Sequence, residues 1–425
     1  MTSQNTQGKA KVVLVACVLF NLFLGVLYAW SVLRANFTLP VSEGGWGWTS
    51  SQAGLPFSLA IACFAVTMMI AGRIQDKIGP RWVLTAGGAL CGLGLIISGL
   101  IGNNPLGIAI AFGVIAGIGG GAGYASVTPP ALKWFHPSKK GTIAGLTVGG
   151  FGLSAVYYSP LAGTLMGRFG PETAMIIIGI GIFVLTILCA QFVKNPPAGY
   201  TPALPANFDE SKTQTAKAPA YDLKWREMMK TKTFWMIFIM FVASASVGLM
   251  VIGNVTSIAR AQMGINDGGI FAMLAALLAF VNTFGRVVGG MVSDKIGRIN
   301  TLYLGLVLQT ATMFGFLFFT NLPTLILGVV VIGSCFGAFL SVFPSLTADQ
   351  FGLKNFGQNY GIMFLAWGVA GIVTPMLANF LYDLNGNFYA AYIICAVMTA
   401  LMIIVNFLIK KDIDSRAAKA QSTDS

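Results

Sequence analysis

The stretch GRIQDKIGPR at positions 72–81 returns as GMVSDKIGR at positions 290–298. Each copy joins the end of one long apolar run to the start of the next. The aspartates of the two copies, Asp76 and Asp294, lie 218 positions apart. Similarity at a fixed offset indicates an internal repeat, so we expect two copies of one structural unit, each containing a helix, a short charged turn and a second helix.

A second pair of matches supports the repeat. Gly145 and Pro160 correspond to Gly361 and Pro375, at offsets of 216 and 215 positions. These residues lie in the fifth and eleventh apolar runs of the chain, which are equivalent places if each half contains six runs. Two independent matches at nearly one offset indicate that the chain arose by duplication.

The composition predicts a membrane protein. Hydrophobic residues form 56% of the 425 residues and charged residues only 9%, whereas soluble domains carry about 25% charged residues. Such a chain leaves little mass outside the bilayer, which excludes a soluble enzyme. The formal net charge of +12 is not read as a sign of nucleic-acid binding, because the positions of the basic residues have another explanation.

Twelve apolar runs are long enough to span a bilayer as helices, which takes about 20 residues each. They lie at roughly 11–34, 51–72, 82–101, 106–132, 141–166, 173–194, 233–259, 268–293, 300–320, 323–347, 357–382 and 387–410. We predict an all-α membrane protein with twelve transmembrane helices in two pseudo-symmetric six-helix halves. The predicted units are a bundle at 1–194, a cytoplasmic linker at 195–232, a bundle at 233–410 and a cytoplasmic tail at 411–425. The end of the linker, at 225–230, is expected to form a short interfacial helix.

The basic residues predict the orientation. All but four of the 26 Lys and Arg residues lie on the side that carries both termini. The exceptions are Arg34, Arg168 and Arg260 on the opposite side and Arg286 within a span. By the positive-inside rule both termini are cytoplasmic. The first run has no cleavage site and is expected to remain as a span. We expect a monomer in the cell inner membrane, with the lipid bilayer as its surroundings.

Cysteine and histidine provide no framework for a metal site. The six cysteines lie within apolar runs without C-x-x-C spacing, and the one histidine, His136, lies in a charged loop. Neither a disulfide framework nor a zinc site is indicated, so no metal and no cofactor are expected. The spans hold no deep carboxylate either, and we therefore do not expect an enzyme.

The repeated motif resembles the signature loop of the major facilitator superfamily, G-[R/K]-x-x-D-[K/R]-x-G-[R/K]. Span number, linker position and the repeat extend the resemblance over the whole chain. It implies a transporter whose halves rock about a site near the bilayer midplane, with the motif residues latching their cytoplasmic ends. An aspartate there can also accept from the N–H groups at a facing helix N-terminus. The residues implied for the latch are Asp76, Lys77, Arg81, Asp294, Lys295 and Arg298.

Glycines recur at every fourth position in two spans, where they line one face of a helix and permit close approach of a neighbour. They are Gly113, Gly117 and Gly121 in the fourth span and Gly141, Gly145 and Gly149 in the fifth. Sliding contacts between gating helices and static close packing both fit this pattern.

Arg286 is the charge that lies inside a span, eight residues before Asp294. An intramembrane charge costs at least about 2.5–3.5 kcal/mol and marks a functional site by default. The acidic residues all lie in loops, tails or span ends, so we predict that a substrate anion neutralises Arg286. Guanidinium binds a carboxylate through two parallel hydrogen bonds. The alternative is a structural arginine that snorkels to the interface or binds backbone carbonyls.

Asn282 lies one turn before Arg286, on a face of small and polar residues. It is expected either to orient the guanidinium or to donate to a substrate oxygen. Interhelical hydrogen bonding is the alternative.

Further stretches resemble the monocarboxylate transporter and oxalate–formate antiporter branch of the superfamily. They lie at 25–31, 123–141 and 358–361, together with the arginine eight residues before the motif aspartate. The resemblance implies that Arg286 binds a carboxylate and that aromatic residues line the cavity. Those at the matching positions are Tyr28, Tyr124, Phe151 and Phe336. Each of these aromatic residues, taken alone, is more often part of the core or of an interface than a ligand contact.

The sequence differs from the branch pattern at positions that limit the range of possible substrates. Trp367 occupies the position of a second cation in the oxalate exchanger pattern, and Asn282 occupies that of an aspartate in the animal monocarboxylate pattern. The lysine of that pattern near Val32 is also missing. A dicarboxylate would leave one charge unpaired in a medium of low dielectric, which is costly. One arginine therefore matches one carboxylate.

We predict a secondary active transporter of small monocarboxylates such as lactate and pyruvate, coupled to protons and working by alternating access. The carboxylate is expected on Arg286, with Asn282 and Tyr124 orienting the 2-hydroxy or 2-oxo oxygen. The remaining predicted contacts are Tyr28, Phe151, Phe336, Phe364 and Trp367. An organic-anion exchanger of the oxalate–formate type is one alternative, and a nutrient sensor with a transporter fold is another. The expected partners are the monocarboxylate and a proton.

Overall fold

The computed structural model describes residues 3–202, 222–264 and 268–423, and the regular elements in these ranges are helices. The prediction of an all-α protein is confirmed. A part of the predicted linker, 203–221, and the last two residues of the predicted tail lie outside the described residues.

The first half begins with α1 (Ser3–Leu24), which a short 3₁₀ turn joins to α2 (Trp30–Phe37). There follow α3 (Ser50–Ile78), α4 (Pro80–Ile101), the short α5 (Pro105–Ile108), a π-helical segment (Ala109–Ala116) and α6 (Gly117–Trp134). The long α7 (Lys140–Phe192) completes this half. It consists of two helices, because Gly170 within it has a positive φ of 81°.

The second half begins with the short helix α8 (Trp225–Lys230), which confirms the predicted helix at the end of the linker. The long helices are α9 (Lys232–Met263), α10 (Gly268–Ile296), α11 (Arg298–Gly315), α12 (Leu322–Phe351), α13 (Phe356–Asn385) and α14 (Tyr389–Thr423). The last of these continues well beyond position 410, so much of the predicted tail is helical.

Length and hydropathy select nine helical ranges among the described residues as candidate membrane spans. One of these ranges contains both arms of α7, which are separate helices. The nine ranges therefore contain ten spans. Together with α11, and with α1 and α2 counted as one span, they give the twelve spans of the prediction. Many large apolar side chains are exposed on the helices, as expected of side chains that face lipid.

The two copies of the repeated motif adopt the same backbone conformation. Gly79 separates α3 from α4 with φ 89° and ψ 163°, and Gly297 separates α10 from α11 with φ 89° and ψ 156°. A residue with a side chain rarely adopts such angles. The glycine of each copy therefore permits the sharp turn between two antiparallel spans.

The halves meet along two equivalent helix pairs, α3 with α13 and α7 with α10. A Cβ atom added to Gly72 would collide with the carbonyl oxygen of Gly357, and one added to Gly290 would collide with that of Gly141. Gly72 and Gly290 are the first residues of the two motif copies. The repeat thus brings the backbones of the two halves into direct contact at two places near their cytoplasmic ends.

The two glycine series have different neighbours. Gly117 and Gly121 pack on Ala60 and Phe64 of α3, within the first half. Gly145 of α7 instead packs on the backbone of Arg286, in the second half. Close packing therefore holds for both series, and only the series on α7 lies where the halves would move against each other.

Candidate functional site

Arg286 lies at the contact between the two halves. Its side chain is buried, with 1% of the residue exposed. Nη1 donates to the carbonyl oxygen of Val148 on α7 at 2.7 Å. The guanidinium also lies against Gly152, since a Cβ atom there would be 3.2 Å from Nε. The buried side chain does not snorkel to the membrane surface. It does bind a backbone carbonyl, which is the other form of the structural alternative given in the sequence analysis.

Asn282 contacts the arginine. Its Oδ1 lies 3.4 Å from Nε of Arg286, one turn along α10, and the residue is buried. The opposite side of this turn packs on α12, where a Cβ atom on Gly337 would collide with the carbonyl oxygen of Asn282. Because the backbone is held this closely, the amide and the guanidinium have little freedom to move apart.

An aromatic cluster joins the halves next to this arginine. We define the aromatic cluster as the rings of Phe64, Tyr124, Phe151, Phe364 and Trp367. The ring centroids of Tyr124 and Phe151 are 5.1 Å apart, those of Tyr124 and Phe364 are 5.5 Å apart, and those of Phe364 and Trp367 are 5.1 Å apart. Such distances are typical of interacting aromatic pairs. Phe151 precedes Gly152, so α7 connects the aromatic cluster to the guanidinium.

The structure brings together most of the substrate-binding residues predicted from the sequence. Arg286, Asn282, Tyr124, Phe151, Phe364 and Trp367 lie around one region between the halves. Phe336 is buried on α12, where its ring packs on Gly248 of α9. The side chain of Tyr28 lies outside the described residues.

The sequence analysis missed Phe64, whose ring centroid lies 6.0 Å from that of Phe151 and 6.3 Å from that of Trp367. The chain contains 31 phenylalanines. One more phenylalanine in an apolar helix carries no distinguishing signal, and only its neighbours in the fold identify it.

The motif-bearing ends of the two halves, which the sequence predicts to be cytoplasmic, are joined by two equivalent interactions. Asp294 accepts from the backbone N–H groups of Gly141 and Thr142 at 2.8 and 2.7 Å, at the start of α7. Asp76 accepts from those of Gly357 at 3.2 Å and Gln358 at 2.9 Å, at the start of α13. Each carboxylate lies at the N-terminus of a helix in the other half, where the helix dipole favours an anion.

An ion-pair network surrounds the contact that Asp294 makes with α7. Nζ of Lys140, in the first half, lies 2.8 Å from Asp349 Oδ1 on α12. Arg298 contacts both Asp349 and Asp294. The sequence analysis missed the pair between Lys140 and Asp349. The signal in the sequence that could have revealed this pair is the opposite charge of two residues at span ends predicted to lie on the same side.

The other basic residues predicted for the latch make no hydrogen bond or ion pair between the halves in the described part of the chain. Arg81 donates through Nε to Oε1 of Gln191 at 2.8 Å, which is a contact within the first half. Lys77 and Lys295 are exposed, and among the described residues no ion pair involves them. The motif lysines therefore lie at the membrane surface, whereas the motif aspartates join the halves.

Comparison with known families agrees with this architecture. The model of the Major Facilitator Superfamily matches residues 14–323 and 305–424. The chain belongs to the Major Facilitator Superfamily. The fold of this superfamily transporter is also that of a solved structure, the fucose:proton symporter of E. coli, with a TM-score of 0.71 and 14% identity over 93% of this chain and 98% of that one.

Two curated relatives of this superfamily transporter cover most of its length. An uncharacterized MFS-type transporter, YhjX of Escherichia coli strain K12, is 29% identical over 88% of this chain and 88% of its own. The oxalate:formate antiporter of Oxalobacter formigenes is 26% identical over 84% of this chain and 81% of its own. The resemblance to the oxalate–formate branch found in the sequence is therefore supported.

Proposed function

We propose that this superfamily transporter carries small monocarboxylates such as lactate and pyruvate, in symport with protons and with the carboxylate bound to Arg286. The observation that carries the proposal is the position of the guanidinium. It is buried between the two halves, beside the aromatic cluster, in the region that alternating access opens to each side in turn.

The chemistry of Arg286 suits a carboxylate. Its hydrogen bonds to Val148 and Asn282 are made to neutral acceptors, so these bonds orient the group without cancelling its charge. Guanidinium presents several donors in one plane, which allows a fork of two bonds to a carboxylate. A buried cation in this position favours an anionic substrate, since burial of an isolated carboxylate is otherwise very costly.

The aromatic cluster suits the apolar part of a small organic acid. Ligand sites are commonly apolar with a few polar groups that set the orientation. Trp367 lies where the oxalate exchanger pattern has a second cation, and an indole in that place favours a substrate with one carboxylate. Lactate and pyruvate each combine one carboxylate, which suits Arg286, with a methyl group, which suits the aromatic cluster.

We propose that the joined cytoplasmic ends are one state of an alternating-access cycle. The contacts of Asp76 and Asp294 with helix N-termini close the cytoplasmic side, and opening requires both to break. The motif residues, including Lys77, Arg81, Lys295 and Arg298, act in this latch either directly or by holding the turns. The proton would enter with the bound substrate.

The proposal is tested by uptake of labelled lactate into proteoliposomes. We expect Arg286→Gln to abolish uptake and Arg168→Gln, at an exposed arginine of the opposite membrane surface, to leave it unchanged. Retained uptake in Arg286→Gln refutes the site. An imposed pH gradient is expected to accelerate uptake, and indifference to the gradient refutes symport.

Organic-anion exchange is the second candidate, because a curated relative is an oxalate:formate antiporter. Uptake that requires internal formate or oxalate and is indifferent to an imposed pH gradient distinguishes it from symport. Saturable counterflow of any of these anions also separates a carrier from a nutrient sensor with the same fold and from an enzyme. We further propose that the protein acts as a monomer in the inner membrane with both termini in the cytoplasm.

A further inference from the structure

One face of α13 carries two buried polar atoms that have no hydrogen-bond partner in the described structure. They are the hydroxyl of Tyr360 and Nε1 of Trp367. Residues 360, 364 and 367 are spaced by four and three positions, so they lie on the same side of the helix. Phe364 and Trp367 belong to the aromatic cluster, and the ring of Tyr360 meets that of Phe364 at 5.7 Å.

The state of the Tyr360 hydroxyl is unlike that of other buried tyrosines in this protein. Tyr158 donates to the carbonyl oxygen of Phe23 at 2.6 Å, and Tyr157 donates to that of Leu22 at 2.9 Å. Tyr360 is as buried as Tyr158, with 3% of the residue exposed. Native structures rarely leave a buried hydroxyl unsatisfied, because the group loses its hydrogen bonds to water. A partner that is present only in part of the cycle accounts for this exception.

The location of the hydroxyl indicates which partner. The ring that carries it contacts Phe364 of the aromatic cluster, whose ring centroid lies 5.5 Å from that of Tyr124. The ring itself is held in place, since it stacks on Phe356 with centroids 5.5 Å apart and planes at 3°. The donor is therefore held at the aromatic cluster, which borders the guanidinium through Phe151 and Gly152.

We propose that Tyr360 determines substrate specificity by donating a hydrogen bond to the oxygen on C2 of a 2-hydroxy or 2-oxo monocarboxylate while Arg286 holds its carboxylate. The inference rests on the proposed function and identifies the substrate class within it. In these acids the C2 oxygen is adjacent to the carboxylate, so a donor at the aromatic cluster, which borders the guanidinium, is placed to reach it. Both a hydroxyl and a keto oxygen accept such a bond.

A substrate without this oxygen leaves the hydroxyl unsatisfied. Propionate has the size and charge of lactate and no oxygen on C2. Sites that hydrogen-bond a substrate oxygen discriminate strongly against analogues lacking it, because their own buried polar group then stays unpaired. We therefore expect the protein to prefer lactate and pyruvate to propionate, and Tyr360 to account for the preference.

The test measures the affinities of the purified full-length protein for lactate, pyruvate and propionate. The variants are Tyr360→Phe and, as a matched control, Tyr158→Phe, whose hydroxyl is bonded to the backbone. For Tyr360→Phe we expect the affinities for lactate and pyruvate to fall on the order of tenfold and that for propionate to stay the same or rise. For Tyr158→Phe we expect the three affinities to shift alike.

The outcomes separate this inference from the proposed function. If wild-type protein binds none of the three acids, or binds them equally well after Arg286→Gln, the proposed function fails. If binding depends on Arg286 but Tyr360→Phe leaves the ratio of lactate to propionate affinity unchanged, the inference alone fails, and the hydroxyl is served by a buried water. The wild-type ratio is decisive even if Tyr360→Phe does not fold, since equal affinities for lactate and propionate overturn the inference.

Discussion

Arg286 on α10 donates a hydrogen bond to the carbonyl oxygen of Val148 on α7, so its guanidinium bridges the two halves of the protein. The contact lies one turn from Gly145, which packs on the backbone of Arg286 itself. Because α7 and α10 approach this closely, the side chain of Arg286 has room only at the contact between them. Any movement of one half against the other must therefore change the surroundings of this charge.

Substitution of Arg286 by lysine tests whether geometry or charge matters. Lysine keeps the charge but lacks the planar fork, and its shorter reach removes the bonds to Val148 and Asn282. We expect the affinity of Arg286→Lys for lactate to fall by roughly tenfold or more, with binding still detectable. The measurement is a titration of lactate against purified protein. Equal affinity in Arg286→Lys and wild type would show that a point charge is sufficient.

A larger side chain at Gly290 is expected to keep the cytoplasmic ends apart. Gly290→Val places atoms against the carbonyl oxygen of Gly141. Overpacking costs about 1–3 kcal/mol, which lowers the ratio of closed to open states by roughly fivefold to 150-fold. The control is Gly163→Val, because a Cβ atom at Gly163 meets nothing within 4 Å.

The opening caused by Gly290→Val is measured with spin labels. Lys77 and Lys295 are exposed and lie in the two motif turns, one in each half, so labels there report the separation of the cytoplasmic ends. The labels are attached after the native cysteines are replaced. We expect a longer distance in Gly290→Val and an unchanged distance in Gly163→Val. An unchanged distance in both variants would place the moving contact elsewhere.

The two motif aspartates are expected to contribute unequally to stability. Asp76→Asn removes hydrogen bonds between a carboxylate and a helix N-terminus, at a cost of about 1–2 kcal/mol. Asp294→Asn also removes the charge paired with Arg298, which is 4% exposed, and loss of one partner of a buried pair costs about 3–5 kcal/mol. Thermal unfolding in detergent compares the two variants. Equal losses would mean that Asp349 alone neutralises Arg298.

Removal of Asp349 is expected to be as severe, because it leaves two buried cations with less compensation. Its carboxylate lies 2.8 Å from Nζ of Lys140 and 3.0 Å from Nε of Arg298. We expect Asp349→Asn to destabilise the protein by about 3–5 kcal/mol and Lys140→Met to restore part of the loss when the two are combined. Asp383→Asn, at an exposed residue of α13, is the control. Additive effects of Asp349→Asn and Lys140→Met would show that the pair is not coupled.

Much of the architecture could be predicted from residue order. The length of the apolar runs requires spanning helices, since a backbone in lipid must satisfy its own hydrogen bonds. The repeated motif predicts two equivalent turns, and Gly79 and Gly297 adopt nearly the same angles. The single charge within a span indicated Arg286 as the central residue before any contact was known.

Which residues form the site could be learned only from the fold. Arg286 and Val148 are 138 positions apart, and Lys140 and Asp349 are 209 apart. Phe64 and Tyr360 were given no role in the sequence analysis, yet their rings contact rings of the aromatic cluster. Spacing along a helix determines which residues share a face, but it does not determine which neighbour that face meets.

The sequence by itself determined that the protein is a duplicated helical membrane protein with one arginine inside a span, because hydropathy, repeat spacing and charge are properties of residue order. Only the tertiary structure decided which side chains surround that arginine. The rotation and separation of each helix follow from how small residues such as Gly145 and Gly152 let neighbouring backbones approach. These close contacts involve both halves at once, so neither half alone specifies them.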